Sequence, residues 1–420
     1  MSHYREMRRA LGRRLGGDSL IYLEGGKPVP RNFDVEYVFR QSSDFLYLTG
    51  VEEPGCHLVL DPKTRRETLF VPRVDSHHRV WEGHVPSPAQ AREIFGVDRV
   101  MYADELKKFL GRRKVAPKAR LRDALDELRA CKTDGELALM RRASEVSGAA
   151  HRAVMAAARP GMKEYELQAV FEAECLKAGL KHLAYPSIVA AGVNGAVLHY
   201  RHNTATLRDG ELLLIDAGAE HKGYAADITR TYPANGKFTP RQRDVYQIVL
   251  ETQKACIEAA RVGVVSADLH VRSMRLIAEG LKSLGLLRGE TDGLVEGGAV
   301  RMFYPHGLTH MLGLDVHDVT GGKKRAMPNP TKVPVRFVAK LEPGFVITME
   351  PGVYFIEALI KDAALRRKHK TSVDFAKAES FLDFGGVRIE DDIVIQADGP
   401  AQNLTDVPKE IAAVEAACAR

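Results

Sequence analysis

The residues best suited to chemistry are carboxylates and histidines at the ends of apolar runs. In Leu212-Leu-Leu-Ile-Asp-Ala-Gly-Ala-Glu-His-Lys-Gly-Tyr-Ala-Ala-Asp227, two aspartates bracket a turn signal. A turn at His221-Lys222, with Gly223 free to take a positive φ, would set Asp216 opposite Asp227. Directly opposed residues have Cβ atoms about 4.5–5.5 Å apart. Like charges at that spacing repel, and burying them without a partner costs several kcal/mol each. Leu212, Leu214 and Ile228 imply packing on both sides of the hairpin. Something positive must therefore sit between the carboxylates, or one must be protonated.

A second group lies downstream. His306-Gly-Leu-Thr-His310 runs into Met-Leu-Gly-Leu-Asp-Val-His317-Asp318, three histidines in twelve residues. A single histidine there would suit a satisfied core position; three together point to chemistry. Glu350 ends an apolar run before Pro351-Gly352, and strand alternation puts Arg388 and Glu390 on one face of Gly386-Val-Arg-Ile-Glu390. Singly, each glutamate would suit an exposed strand end. If the groups meet, four carboxylates and one imidazole form a mostly oxygen cage with room for two divalent ions, about 3.5–4 Å apart. Hard oxygen donors favour Mn²⁺ or Mg²⁺ over thiolate-seeking metals. Two ions can share one water and lower its pKa, so that hydroxide is available near neutral pH.

The elements that must position these groups fall into two stretches. The first is mixed α/β, with strands expected at Leu20 to Leu23, Phe45 to Leu48, His57 to Leu60 and Thr68 to Val71. Helices are expected at Ser87 to Phe95 and Ala103 to Leu110. A linker at Gly111 to Lys118 leads into a helical stretch. Thr133-Asp-Gly-Glu136 is a capping box for a helix to about Ala158. Helices follow at Glu164 to Ala178, from Thr239-Pro240 and near Ser266. β segments are expected at Glu211 to Gly218, Tyr224 to Tyr232, Phe345 to Glu350 and Gly386 to Ile395. The order of two helices, β segment, two helices, β segment predicts an internal structural duplication. Charged residues between Lys361 and Lys370 suggest an exposed insertion.

Composition narrows the class. The chain has 420 residues, 28% charged and 45% hydrophobic, with net charge +6. That is ordinary globular composition, and the small positive excess does not point to nucleic acid. Arg8, Arg9, Arg13 and Arg14 read as the wet face of an N-terminal helix whose dry face carries Met7, Leu11 and Leu15. Five scattered cysteines form no CxxC pair, so neither a zinc ribbon nor a disulfide framework is suggested, and a reducing cytoplasm is the simplest compartment. No apolar stretch follows the basic N-terminus, and no run of about 18 apolar residues predicts a membrane span.

The five ligand-type residues in the order Asp, Asp, His, Glu, Glu, with the aspartates in a hairpin, resemble the pita-bread metallopeptidases. His199-Tyr200, the His306 to Asp318 block, Met349-Glu-Pro-Gly-Val-Tyr354 and Gly386-Val-Arg-Ile-Glu390 are similar to the proline peptidases of that family. The similarity runs along nearly the whole chain. It implies an α+β chain: a smaller mixed α/β N-terminal domain, residues 1–128, for dimerisation and pocket closure, then a pita-bread catalytic domain, residues 129–420, with pseudo-twofold internal duplication. Asp216, Asp227, His310, Glu350 and Glu390 would hold two divalent metals, Mn²⁺ favoured over Co²⁺ or Zn²⁺, with Asp227 and Glu390 bridging. The nucleophile would be a metal-bridging hydroxide, with Glu350 shuttling its proton. His199 and His317 would face the substrate, Arg388 would support the cage, and Tyr185 would lie beside the metals. His306 would sit near the cleft.

Within the family, 32 residues between His317 and Glu350 and 39 between Glu350 and Glu390 resemble the prolidases, which cleave Xaa-Pro dipeptides, more than the shorter connections of aminopeptidase P. Arg336 aligns with the prolidase arginine that grips the dipeptide carboxylate, a task suited to its bidentate fork. Trp81, in Trp81-Glu-Gly83, matches a tryptophan that closes the neighbouring subunit's pocket, which implies a homodimer. The alternatives are an Xaa-Pro aminopeptidase acting on longer peptides and a non-catalytic pita-bread module that binds peptides. The stretch around Gly111 to Leu128 is shorter than in the longer prolidases.

Overall fold

The computed structural model describes residues 3–83, 85–322, 327–335 and 337–419. It contains two compact units, Met1–Ala130 with Gly321–Lys324, and Cys131–Thr320 with Arg325–Arg420.

In the first unit, helix α1 (His3–Leu15) buries Met7, Leu11 and Leu15. Strands β1 (Ile21–Glu24), β2 (His57–Asp61), β3 (Arg66–Val71) and β4 (Arg99–Tyr102) form a sheet in that order. The β3–β4 pair is parallel and the others antiparallel. Two expectations fail here. Arg8 is not on the wet face: it is buried, pairs with Glu67 at 2.8 Å and donates to the carbonyls of Leu48 and Gly96. Phe45 to Leu48 is not a strand but lies within a helix, Ser43–Thr49, closed by Gly50 in the left-handed region. A short apolar run buried all round has no period that separates helix from strand.

In the second unit, helices α2 (Asp134–Ala157) and α3 (Glu164–Lys177) precede strands β5 (Ile188–Ala191), β6 (Leu212–Asp216) and β7 (Thr229–Pro233). These make an antiparallel sheet with β6 in the middle. Helices α4 (Pro240–Ala259) and α5 (Ser266–Ser283) then precede β8 (Val346–Met349), β9 (Gly352–Tyr354), β10 (Gly386–Arg388) and β11 (Asp391–Val394), in which β8 pairs with β11 and β9 with β10. The two-helices-then-sheet order thus occurs twice. The capping boxes at Thr133 and Thr239 form with both reciprocal hydrogen bonds.

The β5–β7 sheet meets the C-terminal strands through direct hydrogen bonds. Glu390 N–H donates to Thr229 O at 3.0 Å, and the Thr231 hydroxyl donates to Arg388 O at 3.0 Å. The β6 sequence Leu-Leu-Leu-Ile-Asp is buried throughout, so both of its faces pack and its C-terminal aspartate is delivered into the interior. Between Glu350 and Glu390 lie helices Glu357–Ile360, Ala363–Lys368 and Phe375–Glu379. The charged stretch, residues 361–370, is largely the exposed insertion expected, with His369 buried within it and Ile360 and Phe381 buried on either side.

Candidate metal centre

The hairpin register differs from the expected one. Its turn is at Lys222-Gly223, both with positive φ (49° and 83°), so Glu220 faces Ala225 and Asp216 faces Thr229. The two-residue shift keeps Asp227 on the same face, as a diagonal rather than direct neighbour. The hairpin is tight there: a Cβ on Gly218 would lie 1.8 Å from Ala226 O. Tyr185 bridges the pair, its hydroxyl 2.6 Å from Asp216 Oδ1 and 2.6 Å from Asp227 Oδ1. A hydroxyl has one hydrogen, so it donates to one carboxylate at a time.

The histidine block is drawn in by strand-like pairing. Thr348 N–H donates to His310 O at 3.0 Å and Glu350 N–H to Leu308 O at 2.9 Å. Asp318 N–H donates to Met311 O, closing the loop that sets the His317 ring 4.3 Å from the His310 ring. His310 Nδ1 lies 3.0 Å from Met311 O, which assigns that nitrogen the proton in the neutral ring and leaves Nε2 as a lone pair. Nε2 lies 3.4 Å from Asp227 Oδ2 and 3.5 Å from Glu350 Oε1. Asp227, His310 and Glu390 each offer a donor atom within 4.8 Å of the others.

Arg388 organises the rear of the cage. It donates to Asp216 Oδ2 at 2.7 Å, to the Thr229 hydroxyl at 3.1 Å and to the Tyr354 hydroxyl at 2.9 Å. His306 Nε2 lies 2.8 Å from that same Tyr354 hydroxyl. The Thr229 hydroxyl donates to Glu390 Oε2 at 2.7 Å, and Asp392 accepts from Asp227 N–H at 3.0 Å.

The electrostatics are those of crowded acids. Burial, reinforced by Asp227, pushes the Glu350 carboxyl up to about 7 despite His310. Burial and then Asp227 and Glu350 hold the Glu390 carboxyl far above its ordinary range. Burial works against a proton on His310, but the Asp227 contact and the Glu350 charge raise it to about 9. Burial and Arg388 lower His306 to about 3. A divalent cation would answer the imidazole lone pair and the facing carboxylates together. The donor set therefore fits hard divalent metal ions.

A cavity of about 720 Å³ opens onto these groups and is lined by Tyr185, His199, Asp216, Asp227, His306, His310, His317, Glu350, Arg388 and Glu390, among others. Eleven residues from the sequence reading lie in this unit; Arg336 falls outside the described residues, and the other ten line the cavity. Trp81 belongs to the first unit, 72% exposed, with its ring near His77. Sequence reasoning missed Arg201, which also lines the cavity, and Thr229 and Tyr354, which join Glu390 and His306 to Arg388. The signal for Arg201 was at hand, two residues after His199; Thr229 and Tyr354 are ordinary strand residues whose role exists only in the assembled fold.

Known proteins match this chain along nearly its whole length. The profile of metallopeptidase family M24 matches residues 138–397, and that of the aminopeptidase P N-terminal domain matches residues 4–119. The chain is 37% identical to Xaa-Pro dipeptidase of Homo sapiens, over 96% of this chain and 89% of the relative. It is 38% identical to a probable Xaa-Pro aminopeptidase of Talaromyces marneffei, over 95% of this chain and 92% of that one. Among solved structures, aminopeptidase PepP of Pseudomonas aeruginosa superposes with a TM-score of 0.86 at 36% identity, covering 99% of this chain and 97% of its own. Zinc-substituted Escherichia coli aminopeptidase P in complex with product gives 0.84 at 34% identity, covering 100% and 98%. This chain belongs to metallopeptidase family M24 and carries an aminopeptidase P-type N-terminal domain.

Proposed function

We propose that this metallopeptidase hydrolyses Xaa-Pro dipeptides at a dinuclear centre. The observation that carries the reading is the convergence of Asp216, Asp227, His310, Glu350 and Glu390 on one cavity, with the His310 lone pair turned toward two carboxylates. These five residues would hold two divalent ions, Mn²⁺ first, with Co²⁺ or Zn²⁺ as substitutes. When bound, such ions supply Lewis acidity and an acidified water as nucleophile.

The chain's own residues do the rest. Glu350, the half-buried member of the cage, presents its carboxylate to the cavity, where it takes a proton and returns it to the leaving nitrogen. His199 and His317 line the same cavity and donate to the carbonyl oxygen as it gains charge. Arg388 fixes Asp216, and His306 with Tyr354 backs that arginine. Asp216 also lies where a free α-amine would find a carboxylate. Selectivity for proline, whose amide nitrogen carries no N–H, rests on the similarity to Xaa-Pro peptidases.

Arg336 is the proposed anchor for the dipeptide carboxylate. The supporting observation is the chain on either side of it: Val333 and Phe337 are buried, and the Ser266 hydroxyl donates to Phe337 O at 2.7 Å. Trp81 of a neighbouring subunit is the proposed lid, in a cytoplasmic homodimer that the N-terminal domain assembles; no helix among the described residues is long and apolar enough to cross a membrane. The second reading, an Xaa-Pro aminopeptidase, is favoured by the solved relatives described above. Turnover of Ala-Pro and Ala-Pro-Ala, each with Mn²⁺, Co²⁺ and Zn²⁺, separates them. Faster hydrolysis of the tripeptide sinks the dipeptidase reading; cleavage of neither would favour a module that only binds peptides.

A further inference from the structure

Helix α3 starts beside the segment that carries His199 and holds it at two points one turn apart. Glu164, the first residue of the helix, is fully buried. Its Oε1 accepts from Ala191 N–H at 2.8 Å and from Asn194 Nδ2 at 2.9 Å. Its Oε2 accepts from the Tyr200 hydroxyl at 2.9 Å and from Ala205 N–H at 2.8 Å. One turn on, Gln168 Oε1 accepts from Asn203 Nδ2 at 2.8 Å. Asn203, with φ of 49°, carries that grip to β5: it donates to Ser187 O at 2.9 Å and accepts from Val189 N–H at 3.1 Å.

Among the described residues no lysine or arginine pairs with Glu164. Four donors converge on an acceptor-only group instead, which matches the roughly four lone-pair sites of a carboxylate. The helix N-terminus adds favourable potential for a negative charge. Bonds to an ionised acceptor are about twice as strong as neutral ones, so this one side chain ties both ends of residues 191–205. That segment presents His199 and Arg201 to the cavity, both exposed. Neither has a packed surround of its own to fix it.

We infer that Glu164, assisted by Gln168, is a positioning residue that holds the 191–205 segment so that His199 and Arg201 face the bound peptide. The inference rests on the peptidase reading, since Glu164 touches no cage residue and acts only through the segment. Glu164→Gln replaces an acceptor oxygen with an amide that opposes the donors. Tyr200→Phe removes one of the four donors with little change of shape, and it serves if the glutamine variant does not fold.

The test is a double-mutant cycle with His199→Ala, run beside amide hydrogen exchange and metal content. In the unaltered background, each variant should lower kcat/KM about tenfold to a hundredfold, the scale of a misplaced catalytic group. Exchange at Ala191 and Ala205 should quicken while metal content stays the same. In the His199→Ala background each change should lower kcat/KM by less than it does in the unaltered protein, the part that passes through Arg201 alone remaining. Additive losses in the cycle, or unchanged exchange across 191–205, overturn the inference. Exchange needs no substrate, so a protein that cleaved no Xaa-Pro peptide would defeat the peptidase reading while the clamp still showed in its amides.

Discussion

Glu390 and Asp391 are consecutive and almost equally buried, yet their carboxylates meet opposite surroundings. Asp391 turns away from the cavity. Arg230 Nη2 donates to its Oδ1 at 2.7 Å, and Asn403 and Lys409 donate to its Oδ2 at 2.7 and 2.5 Å. Burial works upward on this acid, but Arg230 and Lys409 hold it down to about 2. Arg230 is equally satisfied, with its remaining donors on the carbonyls of Thr229, Glu390, Val407 and Pro408. Glu390 turns into the cavity, where the charges of Asp227, Glu350 and Asp216 add to burial and outweigh the opposing Arg388. Where the chain supplies its own cations the acid is structural. Where acids outweigh Arg388 and His310, a cation from outside is the natural complement, and that face carries the candidate metal site.

The largest effect expected from this contrast is on the cavity side. Asp227→Asn removes a ligand-type oxygen, and kcat/KM with Mn²⁺ should fall on the order of a thousandfold or more, because several kcal/mol of Lewis-acid stabilisation are lost. Chelated protein, relieved of one like charge, should unfold at the same temperature or higher. Activity that survives the change would rule out a centre built on Asp227. The other face should behave in reverse. Arg230→Met leaves the buried acid with Lys409 and Asn403 on Oδ2 and no donor from Arg230 on Oδ1, and urea unfolding should show a loss of about 3 kcal/mol. That loss should be the same with or without metal; an unchanged midpoint would mean that Asp391 is not held by Arg230.

The candidate site was legible because its residues, which share one cavity, sit in short stretches with their own signals: an aspartate closing an apolar strand, a dense histidine block, a glutamate before Pro-Gly. The fold class was legible for a similar reason, since capping residues and Pro at helix starts act locally. What escaped depends on distant contacts or on small conformational choices. The hairpin register turned on Lys222, a non-glycine residue with positive φ, and the turn therefore fell one residue later than its glycine suggested. Glu164 reads as an ordinary first-turn glutamate of a helix. Its four donors come from residues 191 to 205, and nothing near it in sequence announces them. Arg8 was misread because its helix face is wet by pattern, whereas Glu67 lies 59 residues away.

A smaller effect follows from the acid pushed furthest toward neutrality. In the folded protein the Glu350 carboxyl is raised from 4.5 to about 7, by burial first and then by Asp227. The folded state thus binds that proton more tightly than the unfolded chain. Its penalty is absent below pH 4.5, grows as pH rises from 4.5 to 7 and is complete above 7. With chelator present, Glu350→Gln should therefore be more stable than the parent by up to roughly 3 kcal/mol above pH 7. The two should converge toward pH 4.5, and Mn²⁺ should abolish the difference by stabilising the parent. A difference that grows on acidification would contradict the crowding of acids in the cage.

The smallest effect tests how the first two aspartates are held. The Tyr185 hydroxyl touches Asp216 and Asp227 equally, at 2.6 Å each, but it has one hydrogen to give. Its role is to orient two oxygens that a cation would otherwise have to gather. Tyr185→Phe keeps the ring and removes that orientation. Loss of a partner to a ligand group typically lowers metal affinity tenfold or more, so Mn²⁺ titration by calorimetry should show about a tenfold weaker Kd. At saturating metal most of the activity should return, because the five proposed ligand residues remain. Asp227→Asn should show no such recovery. If saturating Mn²⁺ fails to restore Tyr185→Phe, the hydroxyl acts on the substrate and not only on the aspartates, and the line drawn between cage and support would have to move to include it.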